Sequence, residues 1–248
     1  MDLYGLIGYP LGHSFSARFF EEKFRREGFD ASYRNFELQD ISELTDLLAN
    51  HPNLRGFNVT IPYKQQIIPY LTTLSPQART IGAVNTVCVR RDSDGNVTAL
   101  EGHNTDAPAF ARTLAPLLPL NAVSALILGT GGASKAVKAS LDALGIACRF
   151  VSRQPSAGQL EYSDITEDVM ASHRLIVNTT PLGMSPKVDA CPPIPYELLT
   201  SGHICYDLIY NPAQTRFMSR SAEMGATVKN GLDMLHLQAL LAWKIWQS

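Results

Sequence analysis

Val123-Ser124-Ala125-Leu126-Ile127-Leu128-Gly129-Thr130-Gly131-Gly132-Ala133-Ser134 is the stretch that decides the fold. The run over Val123–Leu128 has the apolar character of a strand buried on both faces, as in a parallel sheet covered by helices. A helical pattern follows the glycines and continues through Leu144 to a stop at Gly145. A buried strand, a glycine-rich turn and a helix together make an anion site. Glycine lets the backbone approach a pyrophosphate, and the helix N-terminus presents N–H groups carrying partial positive charge. Gly129 and Gly131 fill the first two glycine positions of the dinucleotide pattern, and Ser134 stands at the third. Alone, such a pattern is as often a mere tight turn; the strand before it and the helix after it make it Rossmann-type.

Downstream, Ala147–Val151 reads as the next strand, with others at Leu175–Asn178 and Ile204–Leu208. The end of the second strand selects the cofactor. An NAD site usually carries an acid ~20 residues after the glycines, bonded to the ribose 2′-hydroxyl. Here the chain reads Val151-Ser152-Arg153-Gln154, with no carboxylate. Arg153 can stack on adenine and pair with a 2′-phosphate, and Ser152 can donate a hydrogen bond to it. NADP is therefore expected over NAD, against the plainer reading of Arg153 as a solvated surface arginine.

Upstream, Leu3–Gly8 reads as a strand and Phe15–Glu27 as an amphipathic helix ending at Gly28. Ser32–Leu38 is a strand, Ile41–Ala49 a helix and Leu54–Val59 a strand, the alternation of parallel βαβ units. Val84–Arg91 and Val97–Leu100, joined by Asp92–Asn96, read as a hairpin with a glycine-containing loop. A helix over Ala107–Leu118 ends at Pro119, and Leu232–Trp246 is a long apolar-rich helix predicted to return to the first domain. The fold class is α/β, with two domains over 1–105 plus 231–248 and over 106–230.

The 248 residues are 45% hydrophobic and 18% charged, with a formal net charge of −2. That balance gives no reason to expect nucleic acid or an anionic membrane as partner. The N-terminus lacks the basic region of a signal peptide, and no apolar run approaches the ~20 residues of a membrane span. Cys88, Cys148, Cys191 and Cys205 form no CxxC pair and sit among apolar or small neighbours, so buried reduced thiols are expected. The six histidines show no HxxxH or HxxE spacing, so no metal is expected. A cytoplasmic location follows.

Some segments are more polar than their surroundings justify. His13-Ser14-Phe15-Ser16 opens the first helix, where one serine suffices as N-cap and the second hydroxyl is to spare. Asn58-Val59-Thr60-Ile61-Pro62-Tyr63-Lys64 ends a strand in alternating polar residues and a lysine, which could equally be a first-turn surface residue. Asn85 is an amide in an apolar run, or a residue satisfying a turn; Asp106, in Gly102-His103-Asn104-Thr105-Asp106, is otherwise a helix N-cap. Gln238 is the polar exception among Leu235, Leu237, Leu240 and Leu241.

In order and spacing these segments resemble the shikimate dehydrogenase family over nearly the whole chain. The resemblance runs through Gly8-Tyr9-Pro10, His13–Ser16, Asn58–Lys64, Gly82–Val87, Gly102–Asp106 and Gly129–Ser134. It continues in Asn178-Thr179-Thr180-Pro181-Leu182-Gly183-Met184, Asp207–Pro212 with Thr215, and Asn230-Gly231 with Met234, Leu235 and Gln238. It implies two α/β domains flanking a cleft: a substrate domain completed by the C-terminal helix, and a Rossmann-type NADP domain. The implied activity is NADP-dependent, reversible reduction of 3-dehydroshikimate to shikimate, in aromatic amino-acid (chorismate) biosynthesis.

By the same resemblance, Ser14, Ser16, Asn58, Thr60, Asn85, Asp106 and Gln238 would hold the substrate's hydroxyls and carboxylate, and Lys64 and Asp106 would be the catalytic pair. Tyr210 would lie near the nicotinamide and carboxylate. The cofactor would meet Gly129, Thr130, Gly131, Gly132, Ala133, Ser134, Ser152, Arg153, Asn178, Thr179, Thr180 and Gly231. The chain would act as a monomer or homodimer on a small molecule. It departs from the family at Ala17, where proline is common, at Thr130 and Lys135, where alanine and arginine are usual, and after Arg153, where a second basic residue is often seen. Three rivals remain: an NAD-dependent quinate/shikimate dehydrogenase, against which Ser16 and Arg153 argue; a non-catalytic NADP-binding regulator, expected to lose Lys64 or Asp106; and a folate dehydrogenase, which has no use for paired serines.

Overall fold

The computed structural model describes residues 1–11, 15–118 and 124–248. The chain divides into two compact units, Met1–Thr105 with Ala239–Ser248, and Asp106–Gln238. The return to the first unit, expected at 231, falls at Ala239, inside the last helix.

The first unit contains β1 (Asp2–Gly8), α1 (Phe15–Glu27), β2 (Ala31–Glu37), α2 (Leu44–Asn50), β3 (Leu54–Val59), α3 (Tyr63–Gln66), β4 (Thr73–Leu74), α4 (Pro76–Ile81), β5 (Thr86–Arg91) and β6 (Val97–His103). The strands form one sheet in the order β2-β1-β3-β5-β6-β4. β1 runs parallel to β2 and β3, whereas β5 is antiparallel to both β3 and β6. The hairpin loop closes as its residues suggest: the Asp92 carboxylate accepts the Asp94 and Asn96 N–H groups at 3.0 and 2.8 Å, and Gly95 takes φ 86°. In this unit the elements not expected from the sequence are α3, α4 and β4, each too short to display a hydrophobic period.

β1 is buried along nearly its whole length because both sheet faces are covered. Leu44, Leu54, Phe57, Val59 and Val87 belong to one cluster. Tyr4, Phe20, Phe24 and Tyr33 form the other with Trp243 and Trp246 of the last helix. Phe20 stacks on Tyr33 at 4.7 Å between centroids, and the Trp246 indole N–H donates to the Val87 carbonyl at 3.0 Å. A Cβ at Gly56 would run into that indole, which is why the strand carries glycine there. The predicted return of the C-terminal helix is thus built from aromatic burial, with a bonded polar tip on the tryptophan.

The second unit contains α5 (Asp106–Leu114), β7 (Ala125–Leu128), α6 (Gly132–Ala143), β8 (Cys148–Val151), α7 (Glu167–Ser172), β9 (Leu175–Asn178), β10 (Ile204–Asp207), α8 (Arg216–Glu223), β11 (Thr227–Lys229) and the start of α9 (Leu232–Trp246). The sheet order is β11-β10-β9-β7-β8, and every pairing is parallel. β7, β9 and β10 are buried residue by residue, as strands covered on both faces must be. Strand order reverses at β7, whose neighbours are β8 and β9, and ligands of such sheets bind at the carboxyl ends beside that reversal. Val123, predicted to open β7, lies outside the described residues.

All four cysteines are free; Cys88 and Cys205 are buried, but Cys148 and Cys191 are only partly so, which corrects the expectation for those two. Among the described residues no helix is long and apolar enough to cross a membrane.

Candidate functional site

In the second unit the glycine turn lies at the end of β7, and its two glycines are required for different reasons. Gly129 has φ +104°, and a Cβ there would meet Thr179 Oγ1 at 2.9 Å and Thr180 Cγ2 at 3.1 Å. Its glycine serves the protein's own backbone. Gly131 is the N-cap of α6 at φ −78°, ψ −174°, extended backbone open to any residue, and a Cβ there would meet nothing within 4 Å. Among the described residues no packing demands glycine at 131; a ligand drawn close to the helix N-terminus would. Gly132 and Ala133 begin the helix, and Thr130 before them is exposed. Ser134, at the third glycine position, is buried with its hydroxyl donating to the Gly131 carbonyl at 2.7 Å. The turn itself satisfies that hydroxyl, so serine fits where glycine or alanine is usual.

Opposite the turn, at the end of β9, Thr179 donates its hydroxyl to the Leu128 carbonyl at 2.6 Å. Asn178 is fully buried; its Oδ1 accepts from the Thr180 N–H at 3.0 Å and the Thr180 hydroxyl at 2.7 Å. Its Nδ2 donates to Asp207 at the end of β10, 3.1 Å away. The same carboxylate accepts from the Thr215 hydroxyl at 2.6 Å and the Ile209 N–H at 3.0 Å. Burial pushes the Asp207 carboxyl up to about 6 against these three hydrogen bonds, which pull it down. Asp207 therefore fixes Asn178, and Asn178 fixes the Thr180 loop facing the glycine turn. Sequence reasoning quoted Asp207 and Thr215 but gave neither a role, because this chain of bonds joins residues far apart in the sequence.

Ser152 and Arg153 follow β8. The Ser152 hydroxyl is engaged with its own turn, donating to the Gln154 carbonyl and accepting from the Gln154 N–H, both at 3.2 Å. Arg153 is exposed, with its charge near Tyr162. Gly231 donates its N–H to the Ile209 carbonyl at 3.0 Å, and a Cβ on it would strike the Leu208 backbone. Its glycine is explained by that close approach.

In the first unit three of the predicted substrate residues, Ser16, Asn58 and Asn85, fall into one buried network of neutral groups. Ser16 is bonded to the Tyr33 hydroxyl, which donates to Asn58 Oδ1 at 2.9 Å. Asn58 Nδ2 donates to the Asn85 carbonyl at 3.1 Å and to the Thr86 hydroxyl at 3.2 Å. Asn85 Nδ2 donates to Thr105 Oγ1 at 2.9 Å, and its Oδ1 accepts the Thr105 N–H at 2.7 Å. Burial raises the Tyr33 hydroxyl well above its ordinary range, so it stays a neutral donor. Sequence reasoning missed Tyr33, whose strand gives no sign of a polar partner. Ser16 is the second residue of α1 and turns inward to Tyr33; Ser14 and His13 lie outside the described residues. Thr60 follows β3, its methyl close to Gly8 and its N–H donating to the Ile7 carbonyl at 2.9 Å.

Lys64 is half-buried in α3, its carbonyl accepting the Val84 N–H at 2.7 Å. Asp106 belongs to the second unit, is buried, and is the first helical residue of α5. Thr105, the residue before it, bonds Asn85 through its hydroxyl. Gln238 is buried and donates to the Leu235 carbonyl at 2.9 Å; Tyr210 is half-buried, its hydroxyl pushed up by burial.

A parallel sheet with a glycine turn at its strand reversal, carried in one chain with a second α/β unit, defines the class of dinucleotide-binding α/β proteins of Rossmann type. A family model described as the shikimate dehydrogenase substrate binding domain matches residues 6–87. The chain is 37% identical to "Shikimate dehydrogenase (NADP(+))" of Carboxydothermus hydrogenoformans, over 98% of this chain and 91% of that one. It is 35% identical to the protein of the same name from Desulforamulus reducens, over 98% and 88%. The structure of shikimate 5-dehydrogenase from Thermus thermophilus in complex with NADP(H) and shikimate superposes with a TM-score of 0.84 at 32% identity, covering 99% of this chain and 93% of that one. The chain belongs to the shikimate dehydrogenase family.

Proposed function

We propose that this chain reversibly reduces the ketone of 3-dehydroshikimate to the alcohol of shikimate with NADPH, as a cytoplasmic step of aromatic amino-acid biosynthesis. The observation that carries the reading is the buried neutral network of Ser16, Tyr33, Asn58, Thr86, Asn85 and Thr105. Among the described residues its bonds leave Asn58 an acceptor lone pair and Asn85 an N–H. Amides locked in this way present fixed partners to a substrate with three hydroxyls and one carboxylate, and reject analogues that leave those partners unpaired. Ser14, Ser16, Asn58, Thr60, Asn85 and Gln238 bind these groups, with Tyr210 toward the carboxylate. Gly129–Ser134, Ser152, Arg153, Asn178–Thr180 and Gly231 hold the cofactor, whose nicotinamide supplies or accepts the hydride. Lys64 and Asp106 are the catalytic pair: Lys64 stabilises negative charge at the reacting oxygen, and the two share the proton that oxygen gains or loses.

The test is a spectrophotometric assay of shikimate and quinate, each with NADP and with NAD. Shikimate with NADP is expected to be the best combination; faster turnover of quinate with NAD would overturn both the substrate and the cofactor assignment.

Arg153→Ala is expected to raise the KM for NADP and leave kcat at saturating cofactor nearly intact. A charge-assisted contact to the 2′-phosphate is worth about 1.5–3 kcal/mol, roughly 10–150-fold in the KM ratio of NADP to NAD. An unchanged ratio would leave Arg153 as a surface residue only.

A further inference from the structure

We infer that Cys88, Glu101 and His103 form a zinc site on the β5–β6 hairpin, unconnected with the proposed dehydrogenase reaction. Sequence spacing excluded a metal because none of these residues shares a recognised motif with another. The antiparallel register nevertheless brings them together. Cys88 pairs with Glu101 and Thr86 with His103, and since side chains alternate along a strand, all three candidate ligands project from one face. Their ligand atoms lie within 4.8 Å of one another. Zinc bonds of ~2.0–2.3 Å in tetrahedral array separate ligand atoms by about 3.3–3.8 Å, so small side-chain rotations close the site.

The chemistry selects the ion. A thiolate with an imidazole and a single carboxylate is a borderline-soft set, suited to Zn²⁺ and poor for Mg²⁺ or Ca²⁺. Three protein ligands leave the fourth position to water. Burial lowers the His103 pKa, which keeps the imidazole neutral and able to coordinate. Burial pushes the Cys88 thiol up to about 11, so binding must expel its proton, which the zinc–thiolate bond drives. The thiolate and the carboxylate together balance the charge of Zn²⁺. Cys88 is buried, whereas Glu101 and His103 are half-exposed and provide the way in.

Arg90 is the resident competitor. Its Nε lies 2.9 Å from Glu101 Oε2, and its Nη1 donates to the Ser248 carbonyl at 3.3 Å. Zinc must share Glu101 with this guanidinium or displace it, so removing the guanidinium should strengthen binding.

The experiment titrates the metal-free chain with Zn²⁺ against a chromophoric chelator, and with Co²⁺ as a spectroscopic probe. One equivalent is expected to bind, with a thiolate-to-Co²⁺ charge-transfer band. Cys88→Ser and His103→Gln should each weaken binding at least tenfold, Cys88→Ser should abolish the band, and Arg90→Ala should tighten binding. Cys191→Ser, in the other unit, should change nothing. Thermal melts of the metal-free variants establish that each is folded, and half-exposed His103 serves if Cys88→Ser is not. Absence of the charge-transfer band, or equal Zn²⁺ affinity in wild type and His103→Gln, would overturn the site.

Discussion

Lys64→Ala is expected to lower kcat by about 10²–10⁴-fold, the usual worth of one general acid–base side chain, and to change the substrate KM far less. On the proposed assignment, the charge that Lys64 would meet grows on the reacting oxygen only as hydride moves, so its stabilisation would belong to the transition state. Its place in the short helix α3 involves the backbone, through the Lys64 carbonyl and the Val84 N–H, and that bond survives truncation of the side chain. A thermal melt of the variant establishes that it is folded. Asp106→Asn should also be slow, because an amide cannot share the proton that a carboxylate can, and it should weaken substrate binding if the carboxylate holds a hydroxyl. Combining the two changes should cost much less than the product of their separate losses, since residues acting as a unit are not additive. A folded Lys64→Ala chain with near-normal kcat would remove Lys64 from the catalytic assignment.

How much of this was legible in the sequence depends on how far apart the cooperating residues lie. The β7–turn–α6 stretch is contiguous, so burial, glycine and helix period could all be read in one window, and the structure keeps the element limits close to those expected. The hairpin was legible from Asp92 and Gly95, although β6 runs on to His103, past the expected end at Leu100, because its pairing with β5 continues to Thr86 opposite His103. What escaped is cross-strand. Nothing near Asn58 announces Tyr33, and nothing near Asn178 announces Asp207; each pair meets only when the strands take their register. Cys88, Glu101 and His103 are invisible for the same reason. The return at Ala239 could not be fixed either, because α9 is one unbroken helix and the division of its contacts leaves no mark in its period.

The difference between the two turn glycines gives the second large effect. Gly131→Asp is expected to leave the chain as stable as before, or slightly more so, while weakening NADP binding by about 10²–10³-fold. Residue 131 is the N-cap of α6 in extended conformation with open space around its Cα, and aspartate is among the best residues for that position. Its carboxylate would accept the N–H groups of the first turn, the groups proposed to meet the pyrophosphate, and would repel the phosphates as well. Two like charges 4 Å apart at an effective dielectric of 20 repel by about 4 kcal/mol, which makes a loss of that size reasonable. Gly129→Ala should behave in the opposite way. At φ +104° an alanine is strained by about 1–3 kcal/mol, and its Cβ would press on Thr179 and Thr180. It should lower Tm whether or not cofactor is present. Thermal melts with and without NADP, set beside NADP titrations of both variants, separate the two roles. If Gly131→Asp lost stability without losing affinity, the open N-terminus of α6 would not be where the pyrophosphate binds.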